Sequence, residues 1–168
     1  MDVPGVKIEG EGMDASILEF SNQKSGAQGL LVTSDNVTLQ DFAVVNAKGD
    51  AIKSKGANNI SFIRVKTEWT GGPKTTNGAY GLYPVESENI LIDDCVAIGA
   101  SDAGIYVGQS KNIIVKNSFV KHNVAGIEIE NSFYADVFDN LAEENTGGIL
   151  VFDLPDLPQQ GGHHVRVF

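Results

Sequence analysis

Apolar and polar residues alternate in short runs along most of this chain, and the runs return at near-constant spacing. One phrase, Asn followed by an alternating strand, reads Asn36-Val37-Thr38-Leu39, Asn59-Ile60-Ser61-Phe62, Asn89-Ile90-Leu91-Ile92 and Asn112-Ile113-Ile114-Val115, at steps of 23, 30 and 23 residues. A second reads Gly81-Leu82, Gly104-Ile105, Gly126-Ile127 and Gly148-Ile149, at steps of 23, 22 and 22. The two phrases keep a fixed interval, since Ile52 to Ile60, Leu82 to Ile90 and Ile105 to Ile113 each span 8 residues. Period-2 alternation marks a half-buried strand. It turns Ile105, Val107, Ile127 and Ile129 inward, and Tyr106, Glu128 and Glu130 outward. A third short run follows the Asn phrase, as Phe42-Ala43-Val44, Val65-Lys66-Thr67, Cys95-Val96-Ala97 and Phe119-Val120.

Three strands in about 22 residues close one turn of a coil, and a period in the twenties predicts a stacked solenoid. Each strand then pairs with its equivalent one coil on, about 4.8 Å away, giving three parallel sheets. Leu82, Ile105, Ile127 and Ile149 form one inward column. Gly78, Ser101, Asn123 and Asn145 fall on one corner, where small or polar residues suit a tight turn. Between Asp136 and Asn140 two alignments are open. A leucine-rich repeat has an overlapping period but needs a Leu-rich strand and a helical segment per repeat, and neither is present.

Several stretches carry a resemblance to a known family. Glu68-Trp69-Thr70-Gly71-Gly72, Asn77-Gly78-Ala79-Tyr80-Gly81-Leu82-Tyr83-Pro84, Ala100 to Ser110 and Gly126 to Ser132 resemble the right-handed parallel β-helix proteins. More narrowly, they resemble a group of exported bacterial β-helix proteins within the pectate-lyase-like superfamily. The resemblance implies an all-β, right-handed parallel β-helix with about 22–23 residues per coil, and an extracytoplasmic (periplasmic or secreted) location. It says little about function, because one coil serves pectate lyases, polygalacturonases, alginate epimerases and non-catalytic modules. The Asp-Pro-His-Asp motif of the epimerases and the paired Asp motifs of the polygalacturonases are absent. Residues 1–168 are expected to form a single β-helix domain. The chain opens on Val6-Lys7-Ile8 and closes on Val165-Arg166-Val167-Phe168, without evident caps. Uncapped coils expose unpaired strand groups, so the expectation is a fragment of a longer solenoid or end-to-end self-association.

Composition narrows the partners. Twelve Lys and Arg against 22 Asp and Glu give a formal charge of −10. That surface opposes nucleic acid, anionic membrane and polyanionic polysaccharide unless a basic patch or bound cation intervenes. No apolar run approaches the about 18 residues of a membrane span, and the N-terminus has neither the basic nor the apolar region of a secretory signal. Cys95 is the single cysteine, which excludes a disulfide framework and suits a small buried hydrophobe. No cofactor or metal is expected: Gly-Gly-x-Gly-x-Asp calcium repeats are missing, and His163-His164, adjacent on a strand, should point apart.

Candidate chemistry gathers on the outward side of the Gly-Ile strands. Two insertions interrupt the repeat, between Trp69 and Gly81 and between Phe152 and Val165, on opposite borders of that sheet. Loops on a rigid scaffold are where function concentrates. Lys53, Tyr83, Tyr106, Glu128 and Leu150 form one outward column, and Lys55, Val85, Gly108, Glu130 and Phe152 a second. Lys53, Trp69, Tyr80, Tyr83, Asp102, Tyr106, Phe152 and Asp153 are the expected substrate-binding residues, with a poly- or oligosaccharide as the partner. Aromatic faces beside carboxylates suit sugar rings and hydroxyls, although cross-strand aromatics also simply stabilise a sheet. Glu128 and Glu130 lie about 6.6 Å apart by strand rise, near the separation of an inverting carboxyl pair. Any solvated strand with alternating Glu has that spacing too. With His122 as a base at the groove's edge, they are the candidate catalytic residues of a polysaccharide-modifying enzyme. The competing reading is a non-catalytic binding module or protein-interaction scaffold.

Overall fold

The computed structural model describes residues 1–168 and contains strands and turns but no helix. The Gly-Ile phrases form a six-stranded parallel sheet of Gln28–Val32, Asp50–Lys55, Tyr80–Val85, Ala103–Gly108, Ala125–Glu130 and Gly147–Phe152. The Asn phrases and the third runs form the rest of each coil. Every strand pairs with its equivalents on the neighbouring coils: Ile105 lies beside Leu82 on one side and Ile127 on the other. The result is a parallel β-solenoid.

Three separate sheets were expected, and there are two. In the early coils the second and third runs are one continuous strand, Val37–Val45 and then Ile60–Glu68, so all remaining strands join one eleven-stranded sheet. Later coils part those runs at Asp94 and Asn117; the equivalent Asp41 and Arg64 share the same left-handed backbone, so the bend recurs coil after coil. The ambiguous stretch resolves with Ala135 beside Ile113 and Val137 beside Val115.

Inside the coil, Ile52, Leu82, Ile105 and Ile127 stack fully buried above Ile60, Ile90, Ile113 and Ala135. In the first three Gly-Ile phrases the Gly is there for space. A Cβ on Gly81 would lie 2.4 Å from the carbonyl oxygen of Gly104, and one on Gly104 would lie 2.7 Å from the Asn123 amide. The predicted corner is built as read: Asn123 Oδ1 accepts from the Ala100 amide at 2.9 Å, and Asn145 Oδ1 accepts from the Asn123 amide at 2.9 Å. Asn36, Asn59, Asn89 and Asn112 open their strands with φ between 55 and 59°, a region that asparagine tolerates better than most residues. Their side-chain amides bond one to the next at 2.8–3.1 Å. Tyr134 and His164 continue that left-handed column. Cys95 lies buried between Val65 and Ser118, and burial pushes its thiol up to about 12.

Candidate functional site

Three tyrosines from two adjacent coils meet on the outward side of the six-stranded sheet. The Tyr80 ring centroid is 4.5 Å from Tyr83 and 4.8 Å from Tyr106, and Tyr83 meets Tyr106 edge-on at 4.9 Å. Small neighbours make room for them, since Ala103 and Ala125 occupy the outward column beside Tyr106 and Glu128. Gly108 serves the same end. A Cβ there would fall within 2.6 Å of the Tyr106 ring and hydroxyl, so Tyr106 lies flat along its own strand only because residue 108 has no side chain. That pose directs its phenol at Glu130, on the neighbouring strand beside Gly108. Lys53 Nζ sits 4.2 Å from the Tyr83 ring centroid, a cation–π contact.

Carboxylates surround the tyrosines: Asp50, Asp102, Glu128 and Glu130. Burial pushes the Glu128 carboxyl up to about 7, reinforced by the charges of Asp102 and Glu130. Burial also raises Glu130, against the opposing contact with the Tyr106 hydroxyl. Asp50 is raised by burial and held back by Lys53 and the Tyr80 backbone amide. Burial raises all three tyrosines, and the nearby acids Asp102, Asp50 and Glu130 add to it at Tyr80, Tyr83 and Tyr106 respectively.

The structure brings together Lys53, Tyr80, Tyr83, Asp102, Tyr106, Glu128 and Glu130. The expected open floor is closed, however. Tyr106, Glu128 and Glu130 retain 5, 8 and 6% of their surface, while Tyr80, Tyr83, Lys53, Asp50 and Asp102 are half-exposed and form the accessible rim. Asp50 is a member that the sequence did not single out. Its signal was positional, since it shares an outward column with Tyr80 and Ala103.

Other expected members lie elsewhere. Trp69 is in the solenoid core, with its indole N–H donating to the Ala47 carbonyl at 2.8 Å, and not on the groove. His122 pairs with Glu144 at 2.6 Å in a separate depression of about 280 Å³ that Pro73 and Ser101 also line. Phe152 is half-buried beside Glu130 on the last strand of the sheet. Asp153 accepts from the Gly162 amide at 3.1 Å and lines a second depression with His163 and His164. Those imidazoles do not point apart. The left-handed backbone at His164 brings the ring centroids to 4.4 Å, with the His164 ring stacked on Tyr134.

Both insertions border the sheet as anticipated. The first is tied down by Asn77, whose amide donates to the Gly72 and Gly99 carbonyls. The second is tied by the buried Asn131, which accepts from the Leu154 amide at 2.7 Å and donates to the Leu154 and Gln159 carbonyls.

A parallel solenoid of this build, with loops on both borders of one sheet, defines a β-helix scaffold. The family model described as a right-handed β-helix region matches residues 4–156, and the chain belongs to that family. No curated protein matches the chain.

Proposed function

We propose that this chain is a carbohydrate-binding β-helix module that works outside the cytoplasm. Its ligand lies across the outward side of the six-stranded sheet, over Lys53, Tyr80, Tyr83 and Asp102. The observation that carries this reading is the three-tyrosine cluster. Its rings are fixed by mutual packing on a rigid sheet, Tyr80 and Tyr83 keep part of their surface, and the carboxyl groups of Asp50, Asp102 and Glu130 lie near them. A sugar presents apolar ring faces for stacking and hydroxyls that donate to carboxylates. Aromatic side chains that are already immobile lose little conformational freedom on binding.

A glycan-array screen of the purified protein tests it, with mass spectrometry of each bound glycan. Tyr83→Ala is expected to weaken binding by about tenfold, the scale of one lost stacking contact. Full affinity in a Tyr80→Ala, Tyr83→Ala double variant, or binding to no glycan at all, would overturn the reading.

One observation favours a catalytic extension. Glu128 is pushed up to about 7 by burial, the proton-holding state a general acid needs, while Glu130 is also raised by burial with the Tyr106 hydroxyl opposing the rise. Cleaved product that disappears in Glu128→Gln would establish hydrolysis; intact glycan recovered from every hit would leave binding alone.

A further inference from the structure

On the carbohydrate reading of this face, we propose that its ligand is a sugar chain bearing free amino groups, whose ammonium group is held between the tyrosine rings and the carboxylates of Glu128 and Asp102.

The charge balance of the face points there first. Asp50, Asp102, Glu128 and Glu130 stand against a single lysine, Lys53, which is already placed over Tyr83. Lys55, the next cation on the sheet, is paired with Glu86 at 3.4 Å. A uronate chain would bring further carboxylates into this field with no free cation to meet them. A neutral chain would leave the field unused.

Glu128 supplies a second, independent observation. It is more than nine-tenths buried, aimed among the carboxyl groups, and no protein donor hydrogen-bonds its carboxyl. Its oxygens still reach solvent, so an incoming partner can meet them, and the protein itself provides only other acids. A cation is the missing complement. The acids do not converge with a third protein ligand as a metal cage would require. Tyrosine faces are also poor metal ligands but good seats for an ammonium ion. The Lys53 contact at 4.2 Å shows that this cluster accepts one from the protein itself.

Repetition along the solenoid extends the argument from one amine to a polymer. Coils succeed each other every about 4.8 Å. Asp50 and Glu128 lie on two strands of one sheet and Asp102 just before a third, with the Tyr80–Val85 strand between the first acid and Asp102. A ligand crossing the strands therefore meets an acid or a tyrosine on each coil it passes.

Proton linkage gives a signature that general charge attraction lacks. The titratable groups facing Glu128 are Asp102 and Tyr106 from the Ala103–Gly108 strand and its approach, and Glu130 from its own strand. Tyr80 also senses it, and the strand on the other side presents apolar Leu150. An ammonium group bound there favours ionised Glu128, so at about pH 6, where an amino sugar is still charged and Glu128 still holds its proton, binding releases a proton.

Isothermal titration calorimetry with a glucosamine oligomer, its N-acetylated counterpart of equal length and a neutral glucose oligomer decides the matter. The expected result at about pH 6 is at least about tenfold tighter binding of the free-amine oligomer, with proton release in buffers of different ionisation enthalpy. That preference should collapse in both Glu128→Gln and Asp102→Asn, each confirmed folded by circular dichroism, and persist in Tyr134→Ala, which lies on the other sheet. Equal binding of all three oligomers would overturn the amine preference and leave the carbohydrate reading intact. A preference undiminished in both acid variants would overturn the site, as attraction to the protein's net charge alone. Binding of none would remove the carbohydrate reading itself.

Discussion

At the scale of single residues, Glu128 concentrates the tension between stability and chemistry in this protein. A carboxyl whose folded pKa lies above its ordinary value holds its proton more tightly when folded. Its contribution to stability is therefore complete below pH 4.5 and lost as pH climbs through about 7. The raised carboxyls of Glu130 and Asp50 act in the same direction. Glu128→Gln, which keeps the shape and removes the charge, should stabilise the fold at pH 8 by about 2 kcal/mol and should flatten the decline in melting temperature between pH 5 and 8. Thermal denaturation across that range checks it; parallel profiles for the two proteins would mean that the carboxyl is solvated. Such a group was invisible in the sequence for a definite reason. Alternation assigns Glu128 to the outward side, and the structure agrees, but alternation carries no information about what covers that side. The cover comes from Tyr106, laid down over Gly108 beside Ala103, residues about one coil away whose sizes matter only once the register is known.

At the scale of elements, the inward columns and the Asn corners were legible because each repeats with the coil. Ile105 needs the same environment as Ile127, and Asn89 the same left-handed turn as Asn112. Features that occur once were not legible. Trp69 looked like a groove residue because it heads an insertion, yet it fills the core where the chain leaves the Ile60–Glu68 strand. His163 and His164 were read on strand geometry, which the left-handed His164 breaks. The insertion after Phe152 offers a direct test of how a non-repeating element is anchored. Asn131→Ala removes three hydrogen bonds to that loop and should cost about 1–3 kcal/mol. Limited proteolysis should then cut between Asp153 and Gly162 at rates well above the parent's. Unchanged cleavage would show that the loop is held by its other contacts.

At the scale of the whole molecule, stability is distributed coil by coil, since each strand bonds only to its equivalents before and after. Lys111 and Phe133 are register equivalents, 22 residues apart, and the Phe133 amide already bonds the Ser110 carbonyl at 2.9 Å. Excising residues 111–132 and joining Ser110 to Phe133 should therefore leave a folded, shorter solenoid. Its β-type circular dichroism should persist, its denaturant dependence should fall with the lost surface, and its tyrosine-face ligand should be lost with Glu128. Excising residues 111–121, half a coil, should unfold it by sending inward residues to the outer face. An unfolded product from the full-coil excision would show that the coils are not interchangeable.

The column of bonded amides from Asn36 to Asn112 runs along the solenoid axis, as do the backbone bonds between coils. A pull on the two ends of the chain thus loads only the outermost ring of bonds at any moment. The molecule would lengthen by unwinding turn after turn, each releasing about 75 Å of extended chain while the interior stays dry. The tyrosine face, set on the middle coils, stays assembled until the turns outside it have let go.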